Sequence, residues 1–314
     1  MLQKIYTDNM ESKLSGKIAE FLARAEKPLL VLLGPTASGK TALSLDIARR
    51  FQGEIISTDS RQIYTEMDIA TDALTPDLEQ GIPHHMIGIC KPDQVFTLAE
   101  FKDLALKKIA KIHRNKKLPM LVGGTGLYTS AIIEGYDVPR IEPDLKLRAK
   151  LEKEAKEKGP EYLHKKLEKL DPEAAATIHL NNLHYVIRAL EINKLTGKPK
   201  QDLCVKSPFD VMMIGIKRDR AELYRRINQR VDEQTDSGLL EEVQALLSKG
   251  YDLSLPSMSS LGVKEIIPYL RGEMSLEDCL NILKQNTRHY AKRQMTWFRR
   301  YDNVLWLSPE EAII

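Results

Sequence analysis

Gly34-Pro35-Thr36-Ala37-Ser38-Gly39-Lys40-Thr41 satisfies the pattern G-x-x-x-x-G-K-[ST], and its flanks decide what that pattern means. Before it stands Leu29-Leu30-Val31-Leu32-Leu33, a short apolar run suited to a strand buried on both faces. After it, Leu43, Ile47, Ala48 and Phe51 recur at helical spacing. A strand, a glycine loop and a helix in that order surround an anion with loop N–H groups and a helix N-terminus. Gly34, Thr36, Ala37, Ser38 and Gly39 would form the cradle of a di- or triphosphate. Lys40 would neutralise its terminal phosphate, and the Thr41 hydroxyl would hold Mg²⁺.

Outward from the loop, Glu54-Ile55-Ile56-Ser57-Thr58-Asp59 reads as a second buried strand that ends on a carboxylate. Ligands of open α/β sheets sit beyond the carboxyl ends of the strands, so Asp59 is expected to face the same crevice. It could partner Mg²⁺, or act as base and hydrogen-bond acceptor for a nucleophile; capping the next turn is the structural alternative. Ser60, Arg61 and Gln62 follow, with groups able to read a polar ligand. Pro83 to Ile89 enters a third strand. His84 and His85 are adjacent, so they point to opposite faces, and with no third ligand near them a structural role is expected. Thr97-Leu98-Ala99-Glu100 is a capping box opening a helix with Phe101, Leu104, Ile109 and Ile112 on its core face. Pro119 to Val122 is a further strand. Its exit turn, Gly123-Gly124-Thr125-Gly126, lets the backbone approach a ligand closely, with Thr125 placed to donate or accept.

The βα alternation then stops. Residues 142–170 are dense in Lys and Glu, Asp171-Pro172 opens another segment, and a helix carrying His184, Tyr185 and Arg188 ends at Thr196-Gly197. Val211 to Ile216 returns to the sheet, and Asp219 starts a helix with Leu223, Ile227 and Val231 as its buried stripe. Arg226 and Arg230, four apart, could both reach an anion. In the last long helix Lys284, Arg288 and Lys292 make one positive stripe, with His289, Tyr290, Trp297 and Phe298 interleaved. That pattern fits a phosphate-tracking surface with stacking groups. Asn303 to Leu307 closes the sheet. The fold class is therefore α/β: a P-loop NTPase-like parallel sheet flanked by helices, with an inserted mainly helical domain. Its parts are an N-terminal extension with a helical pattern (1–27), a first core part (28–136), the helical insertion (137–206) and a second core part with the basic C-terminal helix (207–314).

Composition narrows the setting. At 314 residues the chain can hold a large α/β core plus an insertion, and its 42% apolar content includes no run long enough to span a membrane. Residues 1–27 mix both charge signs and lack the apolar core of a signal peptide. Three scattered cysteines, Cys90, Cys204 and Cys279, form neither a disulfide framework nor a zinc site, so a reducing cytoplasm is expected. The net charge of +3 is small, but it is concentrated in the last helix. No apolar strand ends in D-x-x-G, which weakens a GTPase reading, and helicase-type motor motifs are missing. These parts suit group transfer onto or off a diphosphate with an RNA or nucleotide acceptor, and leave a kinase and a transferase with a diphosphate leaving group both open.

Taken together, GPTASGKT at 34–41, ISTDSRQIY at 56–64, MDIAT at 67–71, PHHM at 83–86, GGTGLY at 123–128, IRALE at 187–191 and TRHYAKRQMTWF at 287–298 resemble the tRNA dimethylallyltransferase family, the tRNA isopentenyltransferases of bacterial type. The resemblance runs from about residue 28 to 307. It implies transfer of a dimethylallyl group from dimethylallyl diphosphate to N6 of the adenosine 3′ of the anticodon, Mg²⁺ as cofactor, the tRNA anticodon stem-loop as partner, and a cytoplasmic monomer. It further implies that Asp59 is the base, that Lys40 and Arg230 hold the leaving diphosphate bound by Thr36 through Thr41, and that Thr125 lines the channel for the extruded base. Asp59, Ser60, Arg61, Gln62, Thr125, Arg148, Arg188, Arg288, Lys292, Arg293 and Gln294 fall at its tRNA-contacting positions. Ala70 and Ala73 depart from a usual Gly and Lys, Gly88 from a common Asp, His184 from an Arg and Val263 from a Tyr. The rival readings are an adenylate isopentenyltransferase acting on free nucleotide, a P-loop kinase, and a non-catalytic nucleotide-switched RNA binder.

Overall fold

The structure, a computed structural model, describes residues 13–73, 81–136, 143–197 and 207–314; the start of the N-terminal extension and Cys204 lie outside them. Contacts divide the chain into two compact units, one formed by the residues up to Glu134 and from 206 onward, the other by residues 135–205.

The first unit begins with α1 (Lys13–Arg24), β1 (Pro28–Leu33), α2 (Lys40–Phe51), β2 (Gly53–Ser57) and the single turn α3 (Asp68–Thr71). It continues through β3 (His84–His85), α4 (Leu98–Arg114), β4 (Leu118–Val122) and α5 (Gly126–Ile133). Its strands make one parallel sheet of order β3-β2-β4-β1-β5-β6, where β5 is Asp210–Ile216 and β6 is Val304–Leu307. Register places Val31 beside Leu121 on one side and Met213 on the other. Successive β1 side chains alternate between two cores, as strand geometry requires. Leu30 and Leu32 pack with Leu14 and Ile18 of α1 and Leu43 and Ile47 of α2. Leu29, Val31 and Leu33 pack with Phe101, Ile109 and Ile112 of α4 and Ile132 of α5. A sheet apolar on both faces is covered on both, which is why β1 reads as an unbroken apolar run.

After β5 come α10 (Arg220–Asp236), α11 (Leu239–Ser248), α12 (Val263–Leu270) and α13 (Leu276–Phe298). A third core of Val243, Ile266, Ile267 and Leu283 joins α11, α12 and the first half of α13 to Ile63 and Met67. The expected starts are present: Thr97 caps α4 in a full capping box, Asp219 caps α10, and Ser275 caps α13. The third strand is shorter than the Pro83–Ile89 run predicted, only His84 and His85, because Met86 turns at φ 67 and ends the pairing. The histidines act locally. His84 Nδ1 lies 2.8 Å from the Ile82 carbonyl, and His85 Nε2 lies 2.8 Å from Glu54, which also accepts from Lys117.

Within the second unit, α6 (Leu145–Lys158), α7 (Pro160–Leu170), α8 (Pro172–Thr177) and α9 (Leu183–Thr196) enclose Leu147, Leu151, Leu163, Leu167, Val186 and Leu190. Asp144 and Asp171 cap α6 and α8, and Gly197 ends α9 in the left-handed conformation. The buried Glu191 carboxylate organises this unit. It accepts two bonds from Arg148 (2.9 and 2.8 Å), one from the Asp144 N–H and a short one from Arg188.

Candidate active site

The strand order places β4 between β1 and β2, so three exit segments meet at one edge: the loop after Leu33, Thr58-Asp59 after β2, and Gly123 to Thr125 after β4. Gly34 (φ 149) and Gly39 (φ 103) take conformations that L-side chains avoid, and Ala37 (φ 61) adds a left-handed turn. A Cβ on Gly34 would come 2.8 Å from Ser38 Oγ. Alternation of this kind turns successive N–H groups inward as an anion nest at the start of α2. Among the described residues Ser38 Oγ, which is buried, has no hydrogen-bond partner, so it is a donor suited to an incoming anion oxygen. Thr41 stands exposed in the first turn.

Cations converge on the loop from two directions. Lys40 Nζ donates to the Pro35 carbonyl at 2.8 Å. Burial, then the neighbouring Arg230 charge, lower its ammonium from 10.5 to about 7, while Asp59 and Asp72 pull the other way. From α10, Arg230 donates to Thr36 Oγ1 (3.1 Å) and pairs with Asp72 (2.7 Å), and Arg226 Nε donates to the Ala37 carbonyl (2.9 Å). Their i, i+4 spacing puts both arginines on the helix face turned to the loop. Arg218, which follows β5, was not singled out, yet its Nε donates to the Ser38 carbonyl at 2.8 Å. Its signal was its place after the strand beside β1.

Asp59 stands beside this nest. One carboxylate oxygen accepts the Arg61 N–H at 2.9 Å; the other faces Gly124, 3.8 Å from where a Cβ there would lie. Thr125 Oγ1 accepts the Ser60 N–H at 3.0 Å and donates to Ser60 Oγ at 3.2 Å, binding the turn after β4 to the segment after β2. Gln62 is tied to Ser57 Oγ and to the carbonyls of Thr71 and Asp72, and the Arg61 guanidinium to Pro256 O and Ser259 Oγ. Asp59, Thr125, Lys40 and Arg230 are thus brought into one electrostatic neighbourhood.

Helix α13 enters the site as well as carrying charge. Gln294, buried, accepts the Thr36 N–H at 2.8 Å and donates to the Gly124 carbonyl at 3.0 Å, joining the two glycine turns. One turn earlier, the Tyr290 hydroxyl is pushed up by burial and by the Asp59 charge, against hydrogen bonds from Thr125 and Gln294. Of the interleaved aromatic residues, Trp297 and Phe298 face inward rather than forming a stacking surface, while His289 is exposed. Phe298 is buried in the core, and Trp297 packs on Gly126 with its N–H toward Ser130, because this half of the helix closes over α5. The positive stripe is also partly engaged within the chain: Lys284 is paired with the Asp232 carboxylate at 2.5 Å, whereas Arg288 keeps its charge and donates to the neutral Asn228 amide oxygen at 2.7 Å. Lys292 and Arg293 are exposed. In the helical unit Arg148 and Arg188 are bound to Glu191, their side chains 28% and 25% exposed.

The family model described as IPP transferase matches residues 62–301. A tRNA dimethylallyltransferase of Alkaliphilus oremlandii is 50% identical, the match covering 90% of this chain and 92% of that protein. One of Acetivibrio thermocellus is also 50% identical with the same coverage. The crystal structure of the full-length tRNA isopentenylpyrophosphate transferase of Bacillus halodurans superposes with a TM-score of 0.68 at 45% identity, covering 90% of each chain. A eukaryotic dimethylallyltransferase captured acting on tRNA gives 0.76 at 28% identity, covering 90% of this chain and 74% of that one.

Proposed function

The chain belongs to the IPP transferase family, and from that premise we propose that it transfers a dimethylallyl group from dimethylallyl diphosphate to N6 of the adenosine 3′ of the anticodon in tRNA, releasing diphosphate. The observation that carries the reading is the placement of one carboxylate, Asp59, beside an anion nest that Lys40 and Arg230 serve.

In the reaction the N6 nitrogen bonds to the allylic carbon, the carbon–oxygen bond to diphosphate breaks, and the amine must lose a proton. Asp59 accepts that proton, its other oxygen already steadied by the Arg61 N–H. The loop N–H groups, Lys40 and Arg230 stabilise the charge growing on the leaving diphosphate. Thr125 and Gln294 hold the turn after β4 against both partners, fixing the distance between base and nest. The Thr41 hydroxyl, a hard oxygen in the first turn of α2, fits Mg²⁺, and among the described residues no cluster of three His, Cys, Asp or Glu side chains could cage a metal. Thr41 would hold Mg²⁺, which when bound would add charge neutralisation to the leaving diphosphate. For tRNA, Lys292 and Arg293 supply exposed phosphate-binding charge, and earlier on the same helix Lys284 and Arg288 line a groove of about 630 Å³ together with Asn228, Asn281, Gln285, Asp278, Met274 and Ile282. Arg148 and Arg188 would add contacts from the helical unit. No helix among the described residues is long and apolar enough to cross a membrane.

The test is transfer of label from dimethylallyl diphosphate, with whole tRNA and AMP offered separately and ATP-dependent phosphorylation assayed alongside. Label on tRNA, with a mass gain of one isopentenyl unit on the adenosine, supports the proposal. Label on AMP alone, or no transfer, overturns it.

A further inference from the structure

Arg230 is held between two partners. One N–H donates to Thr36 Oγ1 within the phosphate loop at 3.1 Å; the other end pairs with Asp72 at 2.7 Å. The Asp72 side chain is about half exposed and the arginine 27% exposed, so the carboxylate is the more solvent-accessible partner of the pair. Asp72 is well anchored. It caps α3 at φ 52, its N–H donates to the Ile69 carbonyl, and its own carbonyl accepts from Gln62 Nε2 at 2.9 Å. Gln62 in turn accepts from Ser57 Oγ at the end of β2, next to Asp59. The same carboxylate is close enough to act on the Lys40 ammonium. Asp72 therefore faces both cations that the diphosphate reading assigns to the ligand.

A carboxylate in that place is compatible with the free site and opposed to the filled one. Without an anion it offsets two neighbouring positive charges, which repel each other. With a diphosphate in the nest it becomes a like charge beside the ligand and competes for the same guanidinium. Resting on the diphosphate reading, we infer that Asp72 is a built-in counter-ion of this site: it yields Arg230 when diphosphate binds and reclaims it when diphosphate leaves. Its effect is to limit affinity for the product and so to favour release.

The opposite role, Asp72 orienting Arg230 toward the ligand, predicts the opposite sign, so one variant separates them. Asp72→Asn keeps a residue that tolerates positive φ and removes only the charge. Calorimetric titration with inorganic diphosphate at pH 6, where Lys40 is charged, should show roughly three- to tenfold tighter binding in Asp72→Asn than in the wild type, as expected for an exposed pair plus a removed repulsion. Diphosphate should inhibit turnover more strongly by a similar factor. In an Arg230→Gln background the gain from Asp72→Asn should shrink, because no guanidinium is left to release. Unchanged or weaker binding in Asp72→Asn, or an equal gain without Arg230, overturns the inference. Failure of the wild type itself to bind, with Lys40→Met indistinguishable from it, would instead overturn the diphosphate reading.

Discussion

Diphosphate binding should draw in a proton through Lys40. In the free protein burial and Arg230 hold its ammonium at about 7, and an anion lodged in the nest raises it again. Below pH 7 the lysine is charged before the ligand arrives, so its contribution to affinity is flat. Above pH 7 the amine must first be protonated, so affinity falls by up to about tenfold per pH unit until the pKa of the complex is reached. At pH 8 about one-tenth of the free amine is charged, so binding takes up about 0.9 proton; at pH 6 it takes up about 0.1. Titration calorimetry in buffers of different ionisation enthalpy counts these protons directly. The ligand's own titration contributes equally to wild type and to Lys40→Arg, whose guanidinium stays charged, so the difference between them isolates Lys40. Arg230→Gln removes the second cause of the lowered pKa and should reduce the uptake at pH 8. Equal proton uptake by wild type and Lys40→Arg at pH 8 would refute the reasoning. The same group acts on stability with its own sign. The folded value lies below the ordinary 10.5, so the unfolded chain binds more protons between about pH 7 and 10.5, and the Lys40 contribution to stability rises with pH across that window.

Other consequences are open to measurement. Asp59→Asn should lower single-turnover transfer by about 10²-fold or more while diphosphate affinity stays within about threefold; near-normal turnover would rule out its role as base. Gly124→Ala would put a Cβ 2.0 Å from Gln294 Nε2, so it should break the joint to Thr36, weaken diphosphate binding and lower Tm; the loss should not add to that of Gln294→Ala. Glu191→Ala strands Arg148 and Arg188 without a counter-charge and should cost about 3–5 kcal/mol in denaturant unfolding of the helical unit. Burial opposes ionisation of Glu191, yet its arginine partners hold the carboxyl below 4.5, so its stabilisation is present above that value and lost as pH falls through the lower folded one. Lys292→Ala should reduce the salt slope of tRNA binding by about one unit, read by filter binding across a salt series; an unchanged slope would take that lysine off the phosphate-contacting surface.

What the chain alone determined is local. Apolar Leu29 to Leu33 before a glycine loop specifies strand, nest and helix within some twenty residues, and Thr97, Asp219 and Ser275 mark helix starts by bonds that span three or fewer positions. The chemistry-bearing types were legible for the same reason, since a lysine and a threonine at the mouth of such a loop have few other uses. Tertiary structure decided the rest. Periodicity cannot say which neighbour a helix face will meet, so Trp297 and Phe298 read as stacking groups until α13 was seen to close over α5. Nor could spacing reveal that Gln294 completes the nest from 258 positions beyond Thr36, that Asp72 holds Arg230, or that Arg218 reaches the Ser38 carbonyl. Those contacts exist because β4 inserts between β1 and β2 while β5 flanks β1, and strand order follows from the packing of two apolar faces at once, which no local stretch of sequence encodes.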